Sequence, residues 1–439
     1  MAATFLLLVF LLSAGFAKLM AIGVNWLCAQ RLARKLVFAD KTVNLAIIVI
    51  YPVLLVSGLG WNGPHWLSGG RSFDLAWGWW LLISAGAIGF VLLVRSTISY
   101  WRYRPPECEI SVESELLDLR RGDNGRSWRE IFVGPGPMRR VARLPGNEQF
   151  TIEVSTKTYR LPRLPTAWDG LSIVHLSDFH FRGGVTRAYY EAVCERAAAL
   201  KPDLFVFTGD LLDDQRRLDW LPETLGRLTA PWGQYYILGN HDWYLDAEAI
   251  RREFSHLGWI DVAGQCVSLV PSPPSSGGQS ALNPESNGRV FSTEYRVPPR
   301  ETIEIPAISP RSSALSVQPP LLLCGDETPW MGTRPDVRHA PADAFRILLS
   351  HSPDSITWAR QHGIDLMLAG HTHGGQIRLP ILGPVYSPSR FGCRFASGVF
   401  WLEPTLLCVS RGISGKEPIR YNCPPEVTKL VLNFRPPDL

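Results

Sequence analysis

Several features that would place the chain in a particular class are missing from its sequence. Its eight cysteines include no C-x-x-C pair, which predicts reduced thiols in the core or on the surface rather than a disulfide framework. No basic cluster with interleaved aromatic residues is present, so no nucleic-acid partner is expected. No internal repeat divides the 439 residues, which suffice for one large domain with additional elements.

The first hundred residues, by contrast, contain three long apolar runs. They are Phe5 to Leu27, Val43 to Trp61 and Leu75 to Val94. Each is close to the length that crosses a bilayer, and tryptophans at the start of the third run are typical of a membrane interface. Because Lys18 lies in the middle of the first run, two or three transmembrane helices are predicted within residues 1–98.

Basic residues are distributed unequally around these runs. Four lie between the first and second runs, one between the second and third, and three directly after the third: Arg31, Arg34, Lys35 and Lys41; Arg71; and Arg95, Arg102 and Arg104. The positive-inside rule therefore predicts a multi-pass protein of the cell membrane whose catalytic part is cytoplasmic. If the first run does not span, the other two form a hairpin with the same orientation. A signal peptide is not favoured, because Met1 to Thr4 contains no basic residue.

After the membrane segment, the chain takes on the strand, loop and helix rhythm of an α/β domain. Residues 99–165 are predicted to be a linker with an edge strand at Gln149 to Tyr159, and 166–439 the main domain. Residues 271–319, rich in Pro, Ser and Gly, predict an irregular surface insertion. Strands and helices are predicted at Leu171–Leu176, Tyr189–Leu200, Leu204–Thr208, Gln234–Leu238, Asp246–Leu257, Phe345–Leu349, Ile364–Leu368, Gly398–Leu402, Thr405–Val409 and Glu426–Phe434.

Polar residues follow five of the predicted strands, and the carboxyl ends of such strands are where ligand-binding loops converge. Their carboxylates, imidazoles and amide oxygen suit divalent ions such as Mn²⁺, Fe or Zn²⁺. The set is too rich for one ion, which predicts two metals that share a bridging carboxylate. The candidate ligands are Asp178, His180, Asp210, Asn240, His351, His371 and His373.

The bridging position is expected to belong to Asp210, since the nitrogen of a neutral imidazole has one lone pair and cannot bind two ions. Two metals about 3.5–4 Å apart lower the pKa of a bridging water and supply hydroxide near neutral pH. They also hold the phosphoryl oxygens as negative charge redistributes during in-line attack. The pattern therefore indicates hydrolysis of a phosphate ester.

The motifs D-x-H, G-D-x-x-D, G-N-H-D, a lone H and G-H-x-H, in this order, resemble the calcineurin-like metallophosphoesterases. The resemblance covers about residues 165 to 435, and the string G-H-T-H-G-G-Q-I-R-L-P is similar to a bacterial branch that is often membrane-tethered. The apolar N-terminal runs add a resemblance to transmembrane proteins with a metallophosphoesterase domain. The resemblance to the metallophosphoesterases implies a four-layer α/β/β/α sandwich with the metals at one edge. In this chain the sandwich is expected to follow transmembrane helices.

The resemblance also implies a role for each motif residue. One metal is expected to be bound by Asp178, His180, Asp210 and His373, and the other by Asp210, Asn240, His351 and His371. His241 is implied to be the general acid that protonates the leaving alkoxide, with Asp242 orienting its ring.

Residues beside the motifs leave alternatives open. Asp213 and Asp214 are expected to support the site or cap a helix rather than bind a metal. Arg411 is assigned either to a substrate phosphate or to a structural salt bridge. Gly374 and Gly375 are predicted to leave room for the approaching ester. Four histidines without a motif partner are predicted to be structural: His175, His256, His339 and His362.

Together these observations predict a membrane-anchored, dinuclear-metal phosphoesterase that hydrolyses a phosphodiester. Attachment to the bilayer suggests a lipid-linked or headgroup phosphate as substrate. One alternative keeps the metals but assigns a phosphomonoester or a soluble nucleotide as substrate. The other is a membrane sensor that binds without turnover; the retention of every motif position argues against it.

Overall fold

Three apolar helices precede an α/β region in the computed structural model of the chain, which describes residues 2–59, 77–121, 127–136, 138–270 and 319–435. Apart from Pro319, the insertion predicted at about 271–319 lies outside the described residues. The helices are α1 (Ala2–Cys28), α2 (Arg34–Leu59) and α3 (Trp77–Trp101). By length and composition α1 and α3 can span a bilayer, whereas the apolar part of α2 is the shorter segment Thr42–Ser57. The second apolar run is thus the weakest of the three candidates.

Helices α1 and α3 pack closely, which explains how a lysine is accommodated in the first apolar run. The Lys18 ammonium donates a hydrogen bond to Ser96 Oγ at 3.2 Å, and the lysine is almost fully buried. Backbones meet at Gly15 and Gly86, where a Cβ on Gly15 would lie 2.0 Å from the Gly86 carbonyl oxygen. Small residues that allow such an approach are typical of helix pairs in membranes.

The remaining described residues form strands and six shorter helices. The strands are β1 (Glu109–Asp118), β2 (Thr151–Leu161), β3 (Leu171–Leu176), β4 (Leu204–Thr208), β5 (Gln234–Ile237), β6 (Ile260–Asp261), β7 (Cys266–Leu269), β8 (Leu321–Asp326), β9 (Phe345–Ser350), β10 (Leu366–Ala369), β11 (Arg378–Leu379), β12 (Gly383–Pro384), β13 (Gly398–Leu402), β14 (Thr405–Val409) and β15 (Glu426–Phe434). The helices are α4 (Trp128–Ile131), α5 (Met138–Ala142), α6 (Arg187–Ala199), α7 (Asn240–Trp243), α8 (Ala247–His256) and α9 (Ile356–Gln361).

Two sheets contain most of these strands. The first has the order β1-β2-β15-β3-β4-β5-β6 and the second the order β13-β14-β10-β9-β8-β7. β3, β4 and β5 run parallel to one another, as do β8, β9, β10 and β14. The carboxyl ends of these parallel strands therefore point in common directions, which brings the loops that follow them together.

The prediction that residues Gln149 to Tyr159 form an edge strand is wrong. This strand, β2, pairs with β15 on one side and β1 on the other, so β1 is the edge of the first sheet. β1 lies in the stretch predicted to be a linker. Its sequence E-I-S-V-E-S-E-L-L-D is largely exposed and polar, so no apolar run marks it as a strand. An edge strand with charged side chains resists pairing with other chains.

Side chains alternate between the two faces of each sheet. The described sheets therefore contribute to three apolar cores, one between them and one on the outer face of each. Ile173, Val206 and Ile237 of the first sheet face Leu323, Leu349 and Leu368 of the second in the central core. Their neighbours in sequence point outward, where α6 and α8 cover the first sheet and α9 covers the second. The predicted four-layer α/β/β/α sandwich is confirmed, and the near-continuous apolar strands follow from burial on both faces.

A disulfide joins Cys266 of β7 to Cys324 of β8. The prediction of reduced thiols is therefore wrong for this pair, whereas the other six cysteines of the described chain are free. The two residues are 58 positions apart in sequence and become neighbours only because the register of the antiparallel strands pairs them. Spacing along the chain carries no sign of such a pair.

Candidate metal centre

The seven candidate ligands converge where loops leave β3, β4, β5, β9 and β10. The first three strands belong to one sheet and the last two to the other, so the cluster lies across the edge of the sandwich. Six of the seven residues are buried, and the side chain of His373 is largely so. Residues separated by almost 200 positions in sequence thus share one polar site within an apolar fold.

One group contains Asp178, His180, Asp210 and His373, each offering one ligand atom within 4.8 Å of the others. The Nε2 atoms of His180 and His373 are 3.2 Å apart, and His180 Nε2 lies 3.4 Å from Asp210 Oδ2. These are the four residues expected to bind the first metal.

A second group contains Asp210, His351 and His371, again with ligand atoms within 4.8 Å of one another. His371 Nδ1 lies 3.1 Å from His351 Nε2, and Asn240 Oδ1 lies 3.0 Å from the same nitrogen. These four residues match the set expected for the second metal.

Asp210 connects the two groups. Its Oδ2 lies 3.4 Å from His180 Nε2 and 3.3 Å from His351 Nε2, whereas its Oδ1 accepts the backbone N–H of His241 at 2.8 Å. Both Asp210 Oδ2 and His371 Nε2 are buried without a hydrogen-bond partner. An unsatisfied buried carboxylate oxygen is costly, and a cation bound to Asp210 Oδ2 would satisfy it. The donor set therefore fits divalent ions.

The backbone of the ligand residues is strained. Asp178, His180, Asp210, His371 and His373 all have φ between 49° and 69°, the left-handed region that residues other than glycine rarely adopt. Residues in such conformations persist only where the surrounding structure holds them, and they concentrate at functional sites. The strain shows that the fold holds these five side chains in fixed positions.

Glycines next to the ligands are required by close packing. A Cβ on Gly370 would lie 1.9 Å from Ser177 Oγ and 2.4 Å from Asp178 Oδ2. The Asp178 carboxylate in turn accepts the backbone N–H of His371 at 3.1 Å. The loops that carry the D-x-H and G-H-x-H motifs therefore hold each other in place.

The pKa values of Asp178, Asp210, His371 and His373 favour metal ligation, whereas neighbouring carboxylates outweigh burial and raise the pKa values of His180 and His351, so a metal would have to displace protons from these two. Burial lowers the pKa of His373 to about 3 and holds that of His371 well below its usual value. Burial also opposes protonation of His351, but the Asp210 carboxylate raises its pKa to about 9. For Asp178 and Asp210, burial is outweighed by neighbouring histidines, so both pKa values are lowered. Ionised carboxylates and two neutral imidazoles are the forms that bind metals.

His241 lies beside the cluster, with 23% of its side chain exposed. Its Nδ1 is 2.5 Å from Asp213 Oδ1, and Asp213 Oδ2 lies 3.4 Å from His180 Nδ1. Asp213 thus contacts both a candidate ligand and the candidate general acid. Burial of this carboxylate is outweighed by the two histidines, which hold its pKa well below the usual range.

The expectation that Asp242 orients the His241 ring is wrong. Its carboxylate accepts backbone N–H groups from Leu211, Leu212 and Gly239 at 3.0, 3.0 and 2.9 Å. As the third residue of α7, Asp242 lies where a side chain turns back to the helix N-terminus. It joins the loops after β4 and β5, and the ring partner of His241 is Asp213.

The structure also decides the open alternatives. Arg411 forms ion pairs with Glu153 at 2.8 Å and Glu426 at 3.2 Å, which favours the structural salt bridge. A Cβ on Gly374 would lie 2.6 Å from Cys423 Sγ, and one on Gly375 would lie 2.5 Å from Pro384 Cβ. Protein atoms fill this space, so the prediction that the two glycines leave room for the ester is wrong.

Three residues of the site escaped sequence reasoning because no motif marks them. Arg420 is fully buried and donates to the carbonyl oxygens of His373 at 2.9 Å and Arg411 at 2.8 Å. The Trp330 ring lies 4.9 Å from that of His371. Glu327 accepts the Leu238 N–H at 2.6 Å, directly before the G-N-H-D motif. All three support ligand-bearing loops from behind.

Comparison with known proteins agrees with this geometry. The family model described as calcineurin-like phosphoesterase matches residues 171–375. The phosphodiesterase YaeI of Escherichia coli (strain K12) is 36% identical over 262 residues, which cover 59% of this chain and 81% of that protein. The chain belongs to the calcineurin-like phosphoesterases. It is accordingly a metal-dependent hydrolase of phosphoric esters.

Two further relatives of this phosphoesterase concern substrate and membrane. The UDP-2,3-diacylglucosamine pyrophosphatase LpxG of Chlamydia muridarum is 26% identical over 316 residues, 65% of this chain and 90% of that protein. A transmembrane protein with metallophosphoesterase domain from Danio rerio is 29% identical over 282 residues, 62% of this chain and 55% of that protein. The family thus includes members with a membrane segment.

Proposed function

We propose that the chain is a membrane-anchored phosphodiesterase with two divalent ions. The position of Asp210 Oδ2, 3.4 Å from His180 Nε2 and 3.3 Å from His351 Nε2, carries this proposal, because one oxygen faces both groups. One ion would be held by Asp178, His180, Asp210 and His373, and the other by Asp210, Asn240, His351 and His371.

Two such ions supply an activated water and neutralise phosphoryl charge when they are bound. Asp210 and the histidines would hold the ions in place, while Arg420 and Trp330 keep the ligand-bearing loops from shifting. Because Asp213 occupies His241 Nδ1, the other ring nitrogen of His241 is the one that can give a proton to the leaving alkoxide. Asp213 fixes the orientation of the His241 ring through this contact.

For the substrate we favour a phosphodiester or related phosphate linkage attached to a lipid. Two relatives carry the names phosphodiesterase and UDP-2,3-diacylglucosamine pyrophosphatase, and the second name denotes a substrate with two acyl groups. The apolar helices α1 and α3 would keep the catalytic domain next to such substrates. A soluble phosphomonoester or nucleotide is the alternative that the assay below separates.

In this proposal, residues 1–98 form the membrane domain and 166–439 the catalytic domain. Strands β1 and β2, which precede residue 166, complete the first sheet of the catalytic domain. The basic loop after α1 contacts the catalytic domain: Arg31 lies over the Trp243 ring at 5.1 Å, and Tyr244 Oη donates to the Leu32 carbonyl at 2.8 Å. This supports a cytoplasmic catalytic domain. The Cys266–Cys324 disulfide points the other way, since such bonds are rare in the cytosol.

Sidedness is tested with intact cells or sealed spheroplasts. Protease added outside should leave the 271–319 segment intact and cleave it only after lysis. Cleavage from outside would place the catalytic domain on the far side of the membrane.

The reaction is tested on the purified full chain with Mn²⁺. We expect hydrolysis of bis-p-nitrophenyl phosphate to exceed that of p-nitrophenyl phosphate; a clear preference for the monoester would contradict the proposal. Asp210→Asn should lose both metal content and activity, because an amide is a poor bridging ligand. Unchanged activity in this variant would refute the bridging role.

A further inference from the structure

An exposed apolar edge follows the G-H-T-H-G-G-Q loop directly. Ile377, Leu379 and Ile381 are 40, 44 and 73% exposed, and they lie on or beside the hairpin formed by β11 and β12. Scattered apolar residues on a surface need no explanation, but a cluster next to a catalytic site usually marks a contact surface. The question is what covers this edge.

The conformation of Ile381 makes its exposure more costly. This residue has φ of 68°, in the left-handed region. A β-branched side chain is strongly disfavoured there, and glycine or asparagine would relieve the strain. In water an isoleucine at this position costs stability and gains nothing. It becomes favourable if its side chain is transferred from water to an apolar phase.

The hairpin lies at the end of helix α3, which indicates the apolar phase. Trp101, the last residue of α3, donates from Nε1 to the Ile381 carbonyl at 2.6 Å. A Cβ on Gly383 would lie 2.9 Å from the Tyr100 ring, so the second strand touches the same helix end. Trp and Tyr at the end of an apolar helix mark the headgroup level of a bilayer. The apolar edge therefore lies at that level.

The charge around the same helix end suits a bilayer surface. A cavity of about 480 Å³ next to the chain that leaves α3 is lined by Arg104, Arg394 and Arg435 together with Trp401. Guanidinium groups beside an indole are typical of the boundary between lipid headgroups and acyl chains.

The hairpin is also attached to the metal centre. Arg378 Nε donates to the Gly374 carbonyl at 2.8 Å, and Pro384 occupies the space beside Gly375. Gly374 and Gly375 directly follow His373. The depth at which the hairpin sits in a membrane would therefore set the distance between the metal ligands and the lipid headgroups.

We propose that Ile377, Leu379 and Ile381 insert into the adjacent membrane leaflet and bring the metal centre to phosphoesters that are anchored there by a hydrocarbon chain. The covering partner is thus the lipid surface itself. The substrate part of this inference rests on the proposed reaction, whereas the insertion part rests only on the proposed membrane anchoring.

Insertion is tested without reference to activity. The full chain carrying both Ile381→Cys and Leu116→Cys is reconstituted into vesicles of phosphatidylcholine and phosphatidylglycerol and exposed to a membrane-impermeant maleimide. Leu116 on β1 is a matched site, since it is apolar and 65% exposed. Peptide mass spectrometry then compares the two positions in the same molecule. We expect modification at position 381 to be slower by about tenfold or more; equal rates would overturn the proposal.

The substrate part is tested by replacing Ile377, Leu379 and Ile381 with serine, with Leu116→Ser as control. Hexadecyl p-nitrophenyl phosphate in the vesicles and soluble bis-p-nitrophenyl phosphate are the two probes. The triple variant should lose about tenfold or more of its rate on the vesicle-bound ester and keep its rate on the soluble one within about twofold. Leu116→Ser should keep both rates.

The outcomes separate the two hypotheses. An equal loss on both probes would show that the hairpin only supports the metal loop, and it would overturn the substrate part. If the unmodified chain hydrolyses neither probe, the proposed function fails, while the maleimide result still decides insertion.

Discussion

His175 provides a quantitative test of the buried core of the first sheet. It lies in β3 with 2% of its surface exposed, and its Nε2 is 2.9 Å from Thr208 Oγ1. Burial lowers its pKa from 6.5 to about 4. The folded chain therefore binds this proton more weakly than the unfolded chain. Stability is at its full value above pH 6.5 and falls as the pH decreases towards 4.

The size of the effect follows from the two pKa values. At about pH 5 the unfolded imidazole is almost fully protonated and the folded one is not, which costs about 2 kcal/mol. The total approaches about 3 kcal/mol below pH 4, where both forms bind the proton.

The perturbation is His175→Gln, which keeps a polar group for Thr208 but does not titrate in this range. Urea unfolding, followed by tryptophan fluorescence, gives the free energy of unfolding at about pH 7.5 and about pH 5. The loss between the two pH values should be smaller in the variant by about 2 kcal/mol. His256→Gln, at an exposed position, should match the unmodified chain.

The other histidines of the site contribute equally to all three proteins and cancel in the comparison. Losses that agree within about 0.5 kcal/mol in the three proteins would refute the assigned pKa of His175.

Three further predictions concern the site. Asp213→Asn should lower kcat by about 10²-fold or more while metal content, measured by mass spectrometry, stays unchanged; loss of metal instead would make Asp213 a ligand. Gly239→Ala places a Cβ 2.2 Å from Asp210 Oδ1 and 2.7 Å from His351 Cε1, so metal content and activity should both fall, whereas Gly78→Ala, with no atom within 4 Å, should be neutral. Arg411→Met removes the ion-pair partner of the partly exposed Glu153 and one of the two basic partners of the buried Glu426, which keeps Lys157, so the free energy of unfolding should fall by about 2 kcal/mol with KM unchanged; a raised KM at unchanged stability would indicate a substrate contact.

Much of the fold could be predicted from local patterns in the sequence, without knowledge of the tertiary structure. Strands such as Leu171–Leu176 and Leu204–Thr208 are buried on both faces, so they appear in the sequence as mainly apolar runs without strict alternation. The candidate ligands follow those runs directly, and parallel pairing brings strand ends together whatever the intervening loops do. Fold class, family and the grouping of seven candidates were therefore within reach of the sequence.

Contacts between segments distant in sequence were decided only by the tertiary structure. Asp242 adjoins His241 in sequence whereas Asp213 lies 28 positions before it, yet the packing of the loop after β4 against α7 places Asp213, not Asp242, at the His241 ring. Strand register pairs Cys266 with Cys324, and helix packing accommodates Lys18. Distance and direction between side chains depend on how elements pack, whereas periodicity records only which face of each element is buried.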